Sequence, residues 1–224
     1  LYRFQKLYFG KFIKRYKRFF VDIEYKDEVI TVHNPNTGSM KSVLEHKCEV
    51  VFSKSDNMKR KLPYTLEGVK VGNKWMVTNT ILINKIVENA IYDGELSEFE
   101  VYDSVKREYS YKDCRFDFFI EKDKKRHLIE VKNVTMFDEN FAYFPDAVTK
   151  RGLKHLDNLY LSINDGYIPY MLYIIQPDRD RFKCADFIDS SYCQRLKQLD
   201  GKVKILKYKS IFNPETGECK LAPF

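Results

Sequence analysis

Two hydrophobic periods divide this chain near Asn79, and that break constrains its fold more than any other feature. Before it, short runs alternate apolar and polar residues: Phe19 to Glu24, Val29 to Val32, Cys48 to Phe52, Tyr64 to Glu67 and Lys74 to Val77. A period of two places alternate side chains on one face of a strand. Lys26-Asp27 reads as a tight turn, residues 34–38 (Asn-Pro-Asn-Thr-Gly) as a strong turn, and Gly68 and Gly72 punctuate a hairpin. Five or so short strands in this space predict a small β-barrel of the OB type. After Asn79 the period lengthens. Leu82, Ile83, Ile86, Val87, Ala90 and Ile91 recur at helical spacing and Gly94 stops the helix. Strands follow near 99–109, 114–121 and 127–132, then a helix from Thr149 to Ile163, a strand at 168–175, a helix from Asp189 to about Leu199 and a strand at 203–208. The expected fold is therefore α+β in two domains. Residues 1–80 form a basic OB-like β-barrel, and residues 81–224 an α/β domain whose mixed sheet carries helices on both faces.

Charge separates the two parts as sharply as periodicity does. Residues 1–80 hold 16 Lys and Arg against 8 Asp and Glu, and the remainder holds 23 against 24, so the net +7 lies in the first third. The first 20 residues contain seven Lys or Arg, eight aromatics and no acid. Cations interleaved with aromatics suit backbone phosphates and stacked bases of a single strand. They also suit a strand pair with aromatics inside and lysines outside. Lys11, Lys14, Arg15, Lys17 and Arg18, with the loop cations Lys59, Arg60 and Lys61, are the expected nucleic-acid contacts of this part. No apolar run reaches membrane-spanning length, which predicts no membrane partner. Five cysteines without a C-x2-C spacing argue against a zinc ribbon or a disulfide framework. Reduced thiols and a cytoplasmic location are the simpler expectation.

Two neighbouring apolar segments carry the candidate chemistry. Asp117 lies in Cys114-Arg-Phe-Asp-Phe-Phe-Ile-Glu121, and Glu130 and Lys132 lie in residues 127–133 (His-Leu-Ile-Glu-Val-Lys-Asn). Paired side by side, these strands bring two carboxylates and an ammonium to one point. Hard divalent cations such as Mg²⁺ or Mn²⁺ take oxygen ligands of this kind and keep several waters. The ammonium can position a water or stabilise a charged transition state. Asp-x12-Glu-x-Lys is the core pattern of metal-dependent nucleases of the restriction-endonuclease, PD-(D/E)xK, type. Glu-x-Lys alone is weak, for it recurs at Glu24, Glu45 and Glu218. Glu130 and Lys132 also fit an ordinary ion pair on a solvated strand.

The stretch after these strands carries a family resemblance. Val131-Lys-Asn-Val-Thr135, residues 142–149 (Ala-Tyr-Phe-Pro-Asp-Ala-Val-Thr), Arg151-Gly152 and Lys154-His-Leu156 resemble the sugar fermentation stimulation protein A family of bacteria and archaea. His33 to Met40, Pro63 to Glu67, and Val77-Thr-Asn-Thr80 with Asn84 are similar to it as well. The resemblance implies an N-terminal OB-like domain joined to a restriction-endonuclease-like domain. It also implies DNA binding without marked sequence preference and a role in regulating sugar (maltose) metabolism. The chain departs from the family at Asp113-Cys114-Arg115, where Asn-Ser-Arg is usual, while Arg115 and Asp117 are kept.

Further candidates complete the site. Asp146 is expected either as a helix N-cap or as a metal ligand or a support behind one, and Glu88 either as an added carboxylate from the first helix or as an ordinary solvated residue. Lys150, Arg151, Lys154 and His155, paired at i and i+4, face either a phosphate or solvent. Gly152 inside that helix costs about 1 kcal/mol relative to Ala, so something is expected to approach it closely. Three functional classes stay open: a DNA-binding protein, an Mg²⁺- or Mn²⁺-dependent phosphodiesterase, and a small-molecule sensor or interaction module on a catalytically inactive nuclease-like fold.

Overall fold

The computed structural model describes all 224 residues. Seven strands come first: β1 (Tyr2–Arg3), β2 (Leu7–Tyr16), β3 (Phe20–Tyr25), β4 (Glu28–His33), β5 (Glu49–Lys54), β6 (Tyr64–Val71) and β7 (Lys74–Val77). Helix α1 (Thr80–Tyr92) then leads to β8 (Ser104–Tyr111), β9 (Cys114–Lys122), β10 (Lys125–Val134), β11 (Met136–Phe137) and β12 (Ala142–Phe144). The chain closes with α2 (Lys150–Ser162), β13 (Tyr167–Ile175), β14 (Phe182–Cys184), α3 (Ser190–Gln198), β15 (Lys204–Asn213) and β16 (Glu218–Pro223). Lys26 and Asp27 both adopt positive φ, as a two-residue hairpin turn requires, and so do Lys17 and Arg18 at the β2–β3 turn.

The expected β-barrel is not what forms. The strands β4-β3-β2-β5-β6 make a five-stranded antiparallel sheet that curls over its own core of Val21, Ile23, Val50, Phe52 and Leu66. Its two ends pair at one residue only, His33 with Thr65, and no ladder closes it. The reason is local: Asn34-Pro35 follows β4, and proline has no N–H with which to extend the pairing. The strand pairing also continues beyond this sheet. β7 pairs with β15 through Trp75 and Phe212, so the strand path runs on as β7-β15-β13-β10-β9-β8. Side chains reinforce this seam. Asn133 donates to the Val77 carbonyl (3.0 Å) and Val77 N–H donates to Gln176 (2.9 Å).

The C-terminal sheet is mixed, as expected. β10, β13 and β15 are parallel, while β9 and β8 are antiparallel additions. Alternation along β10 distributes its side chains between two cores. Ile129 and Val131 pack with α1 residues such as Ile83 and Val87, whereas Leu128 and Val134 pack with Leu156 of α2 and Tyr192 of α3. Each helix starts on a side-chain cap, from Asn79, Thr149 and Asp189 respectively, satisfying N–H groups that have no partner within the helix.

Other expectations change. The strand foreseen near residue 99 begins at Ser104, because residues 97–99 form a single 3₁₀ turn that buries Phe99. The cysteines are not all free: Cys184 and Cys193 are joined by a disulfide, and Cys48, Cys114 and Cys219 are free. No helix is long and apolar enough to cross a membrane.

Candidate metal and phosphate cleft

The β9–β10 ladder stops at the pair Phe118 and Ile129. One step beyond, the strands part, and Asp117 and Glu130 face the opening. The Val131 N–H, which a continued ladder would have used, donates to Asp117 Oδ2 at 2.7 Å. Asn84 of α1 donates to Asp117 Oδ1 at 2.6 Å. Asp117 thus lies in a fixed cradle at the mouth of a cleft of about 440 Å³. Glu130, Lys132 and Asn133 of β10, Asn84 of α1, Asp146 of the β12–α2 loop and Arg151 of α2 line the same cleft. Gly38 and Arg18 close it from the N-terminal sheet.

Glu130 is 3% exposed, and one of its carboxylate oxygens contacts both the Lys132 ammonium and His155 Nδ1. Arg151 Nε donates to His155 Nε2 at 3.3 Å, which leaves Nδ1 facing Glu130. The other oxygen, Oε2, is buried with no hydrogen-bond partner. The two carboxyls are pushed apart in acidity. Burial, then the neighbouring Glu130 charge, raises Asp117 to about 7. Burial also works against the Glu130 carboxylate, but Lys132 and His155 outweigh it and hold Glu130 below its ordinary value. Glu130 is thus the ionised member of the pair near neutrality and Asp117 the one that readily carries a proton.

Can this donor set hold a cation? An ionised carboxylate with an unpartnered buried oxygen beside a second carboxyl fits a hard divalent ion that retains several waters. It does not fit an all-protein cage, since no group of three or more His, Cys, Asp or Glu side chains is arranged to enclose a metal.

The remaining sequence candidates fall into distinct places. Asp146 lines the cleft but does not cap α2. Thr149 does, accepting from Gly152 N–H at 3.0 Å. Asp146 instead packs on Gly38, where any Cβ would lie within 2.2 Å of its carboxylate. Glu88 is absent from the cleft, paired with Arg107 at 3.1 Å. Asn84, one turn earlier on α1, occupies the inward position. What crowds Gly152 is Thr149 and Tyr192, with an added Cβ meeting Thr149 Oγ1 at 2.8 Å. His155 is buried beneath Glu130. Arg15 is not free: its guanidinium donates to the carbonyls of Asn36, Gly38 and Ser39, each at 2.8 Å, and so fixes the loop that faces Asp146.

The other cations lie along or away from the cleft. Lys17 and Arg18 line a groove of about 400 Å³ beside it, and Arg18 borders both. On the far side, Arg151 is shared with a third hollow of about 370 Å³ that also holds Arg115 and Lys154. Arg115 pairs with Glu108 and Lys154 with Asp113, at 3.4 and 2.6 Å. Lys150 is exposed at the start of α2. Lys11 and Lys14 are exposed on β2, the latter 3.5 Å from Asp22. Lys59 and Lys61 are exposed in the β5–β6 loop, and Arg60 turns to a separate cavity, donating to Thr65 at 3.1 Å.

Comparison with known proteins agrees across the chain. Residues 81–216 match the family described as "Sugar fermentation stimulation protein RE domain", and residues 13–78 match "SfsA N-terminal OB domain". A "Sugar fermentation stimulation protein homolog" of Pelagibacter ubique is 44% identical over 208 residues, covering 91% of this chain and 90% of that protein. The homolog of Syntrophotalea carbinolica is 40% identical over 209 residues, covering 92% and 90%. The solved structure of Pyrococcus furiosus SfsA in complex with Ca²⁺ has the same fold, with a TM-score of 0.91 at 24% identity over 100% of this chain and 96% of that one.

Proposed function

This chain belongs to the sugar fermentation stimulation protein family, and we propose that it binds nucleic acid along its cationic groove and hydrolyses phosphodiesters at the Asp117–Glu130–Lys132 cleft with Mg²⁺ or Mn²⁺. In this reading residues 1–80 grip the backbone and residues 81–224 carry the chemistry. The observation that carries the proposal is the buried, unpartnered oxygen of Glu130 beside Asp117 and Lys132. The Ca²⁺ bound by the Pyrococcus furiosus protein supports it.

Glu130 and Asp117 would hold the cation, and Asp146 is the other acidic residue that lines the cleft. A bound divalent ion stabilises charge on a phosphodiester oxygen and makes water more acidic. Asn84 and the Val131 N–H keep the Asp117 carboxyl from rotating. His155 and Arg151 do the same for Glu130 from below. Lys132 Nζ, beside Glu130 in the cleft, would orient a water or meet the developing charge on phosphate. The phosphate path runs from Lys17 and Arg18, across the cleft, to Arg151, Arg115 and Lys154. It reads charge and shape, not sequence, which accords with DNA binding of little sequence preference and with single strands as well as duplexes. Regulation of sugar (maltose) metabolism would follow from such binding.

A second reading has one observation in its favour: the missing third protein ligand is what an inactive relict would also have. One assay separates the two. Purified wild type and Lys132→Ala are incubated with DNA and with RNA, in Mg²⁺ or Mn²⁺ and then in chelator. The proposal expects metal-dependent cleavage by wild type that falls about 100-fold or more in the variant. Equal cleavage by both, or none by either, contradicts it.

A further inference from the structure

A second cavity, of about 520 Å³, lies on the other side of the α1 N-terminus, where the N-terminal sheet fails to close. The two hollows share no lining residue. Pro35, Asn79 and Lys85 face the second, while Asn36, Thr80 and Asn84 face the cleft. Its volume is within the range of small-molecule sites, roughly 300–1,000 Å³.

Its chemistry is specific. Lys54, Arg60 and Lys85 line it, making it attractive to an anion. Tyr2 and Phe4 form an aromatic wall, packed edge to face at 5.1 Å, and Phe4 is braced on Phe212 at 4.6 Å. Beneath them lies Glu67, a buried carboxylate that the cleft chemistry does not use. Ser53 donates to one of its oxygens at 2.6 Å and Asn79 to the other at 2.7 Å. Each oxygen keeps a second acceptor site. The carboxylate is therefore fixed, both oxygens at defined positions, and can accept a pair of parallel N–H donors. Burial raises its pKa above the ordinary value, against the pull of Ser53, Asn79, Lys85 and Arg60.

A flat ring for the aromatic wall, two adjacent N–H donors for the carboxylate and a phosphate for the cations define the ligand. Among the common bases only guanine presents two neighbouring donors, N1–H and the N2 amine. Adenine and cytosine place an acceptor beside their amine, and uracil flanks its single donor with carbonyls. We propose that this cavity binds a guanosine 5′-phosphate group, with Glu67 on the base edge and Lys54, Arg60 and Lys85 toward the phosphate. Because Asn79 both holds Glu67 and caps α1, the occupied cavity abuts the helix that presents Asn84 to Asp117.

The test is calorimetric titration of the full chain in chelator with GMP, AMP, CMP and UMP. GMP is expected to bind about tenfold or more tightly than AMP. Glu67→Gln, its fold checked by thermal melting, should bring the GMP to AMP ratio close to one. Lys54→Ala combined with Lys85→Ala changes only the cationic rim and should weaken all four nucleotides in parallel. Equal affinities for the four, no binding, or a ratio that survives Glu67→Gln would overturn the assignment. So would GMP affinity unchanged in the double lysine variant, which decides the matter if Glu67→Gln does not fold. A 5′-phosphorylated guanylyl-adenosine dinucleotide, run beside GMP, assigns the source. Tighter dinucleotide binding points to a strand end, and tighter GMP binding to the free nucleotide.

Discussion

Asp117→Asn should make the metal-free protein more stable in alkali relative to wild type, by an amount the structure sets. The Asp117 carboxyl titrates at about 7 in the folded chain against an ordinary 3.8. Folded protein therefore holds a proton that unfolded protein has released between these values, and stability declines as pH rises through this window, then levels above it. Integrating the linkage, about 2 kcal/mol is lost by pH 5 and about 4 kcal/mol by pH 8. Asparagine is isosteric and does not ionise. Its oxygen can still accept from Val131 N–H, and Asn84 can turn its own amide oxygen toward the new amine. The gain of Asp117→Asn over wild type should thus grow by about 2–3 kcal/mol from pH 5 to pH 8. For a chain of this size that is roughly 5–10 °C in melting temperature. Paired thermal melts in chelator at the two pH values measure it, and the subtraction cancels the titrating groups that do not interact with Asp117. A difference that is flat with pH, or that shrinks toward pH 8, would refute the claim that Asp117 is a carboxyl forced to share a buried site with Glu130.

Two other expectations concern the surface around the cleft. Arg15→Lys should cost about 2 kcal/mol in urea denaturation, because an ammonium cannot make the forked contact to the carbonyls of Asn36, Gly38 and Ser39. A change below about 0.5 kcal/mol would mean that the loop is fixed by something else. Binding of duplex DNA should weaken steeply between low and moderate salt. Arg151→Ala and Lys154→Ala should each lower the slope of log K against log salt by about 1, as lost phosphate contacts do. A slope near zero in wild type would remove the groove from the account.

The sequence was most legible where the signal is local. Period-two and helical patterns located most long elements, and the facing parity of Glu130 and Lys132 followed from strand geometry alone. What it concealed depends on distant pairing. Nothing near Trp75 announces Phe212, so the continuity of the two sheets was invisible, as was the failure of β4 and β6 to close. Of the two readings of Glu88, the helix rotation selects the outer one: it turns Glu88 to Arg107 and presents Asn84 to the site. The available signal was Asn84 itself, a polar residue beside the apolar stripe of Leu82, Ile83, Ile86 and Val87. His155, paired with Arg151 at i and i+4, reads as facing a phosphate or solvent, but that helix face packs on β9 and β13 and brings His155 to Glu130. Glu67 lay in plain view within a strand pattern, and only the cavity above it distinguishes it from any other strand carboxylate.

The most direct test is the uptake of Mn²⁺, read from the loss of the free-ion paramagnetic signal during titration at neutral pH. The account predicts one ion bound per chain in wild type and none in Glu130→Gln, a substitution that keeps shape while removing charge. Failure of the wild type to bind, or equal binding by the variant, would contradict a cation site formed by Asp117 and Glu130.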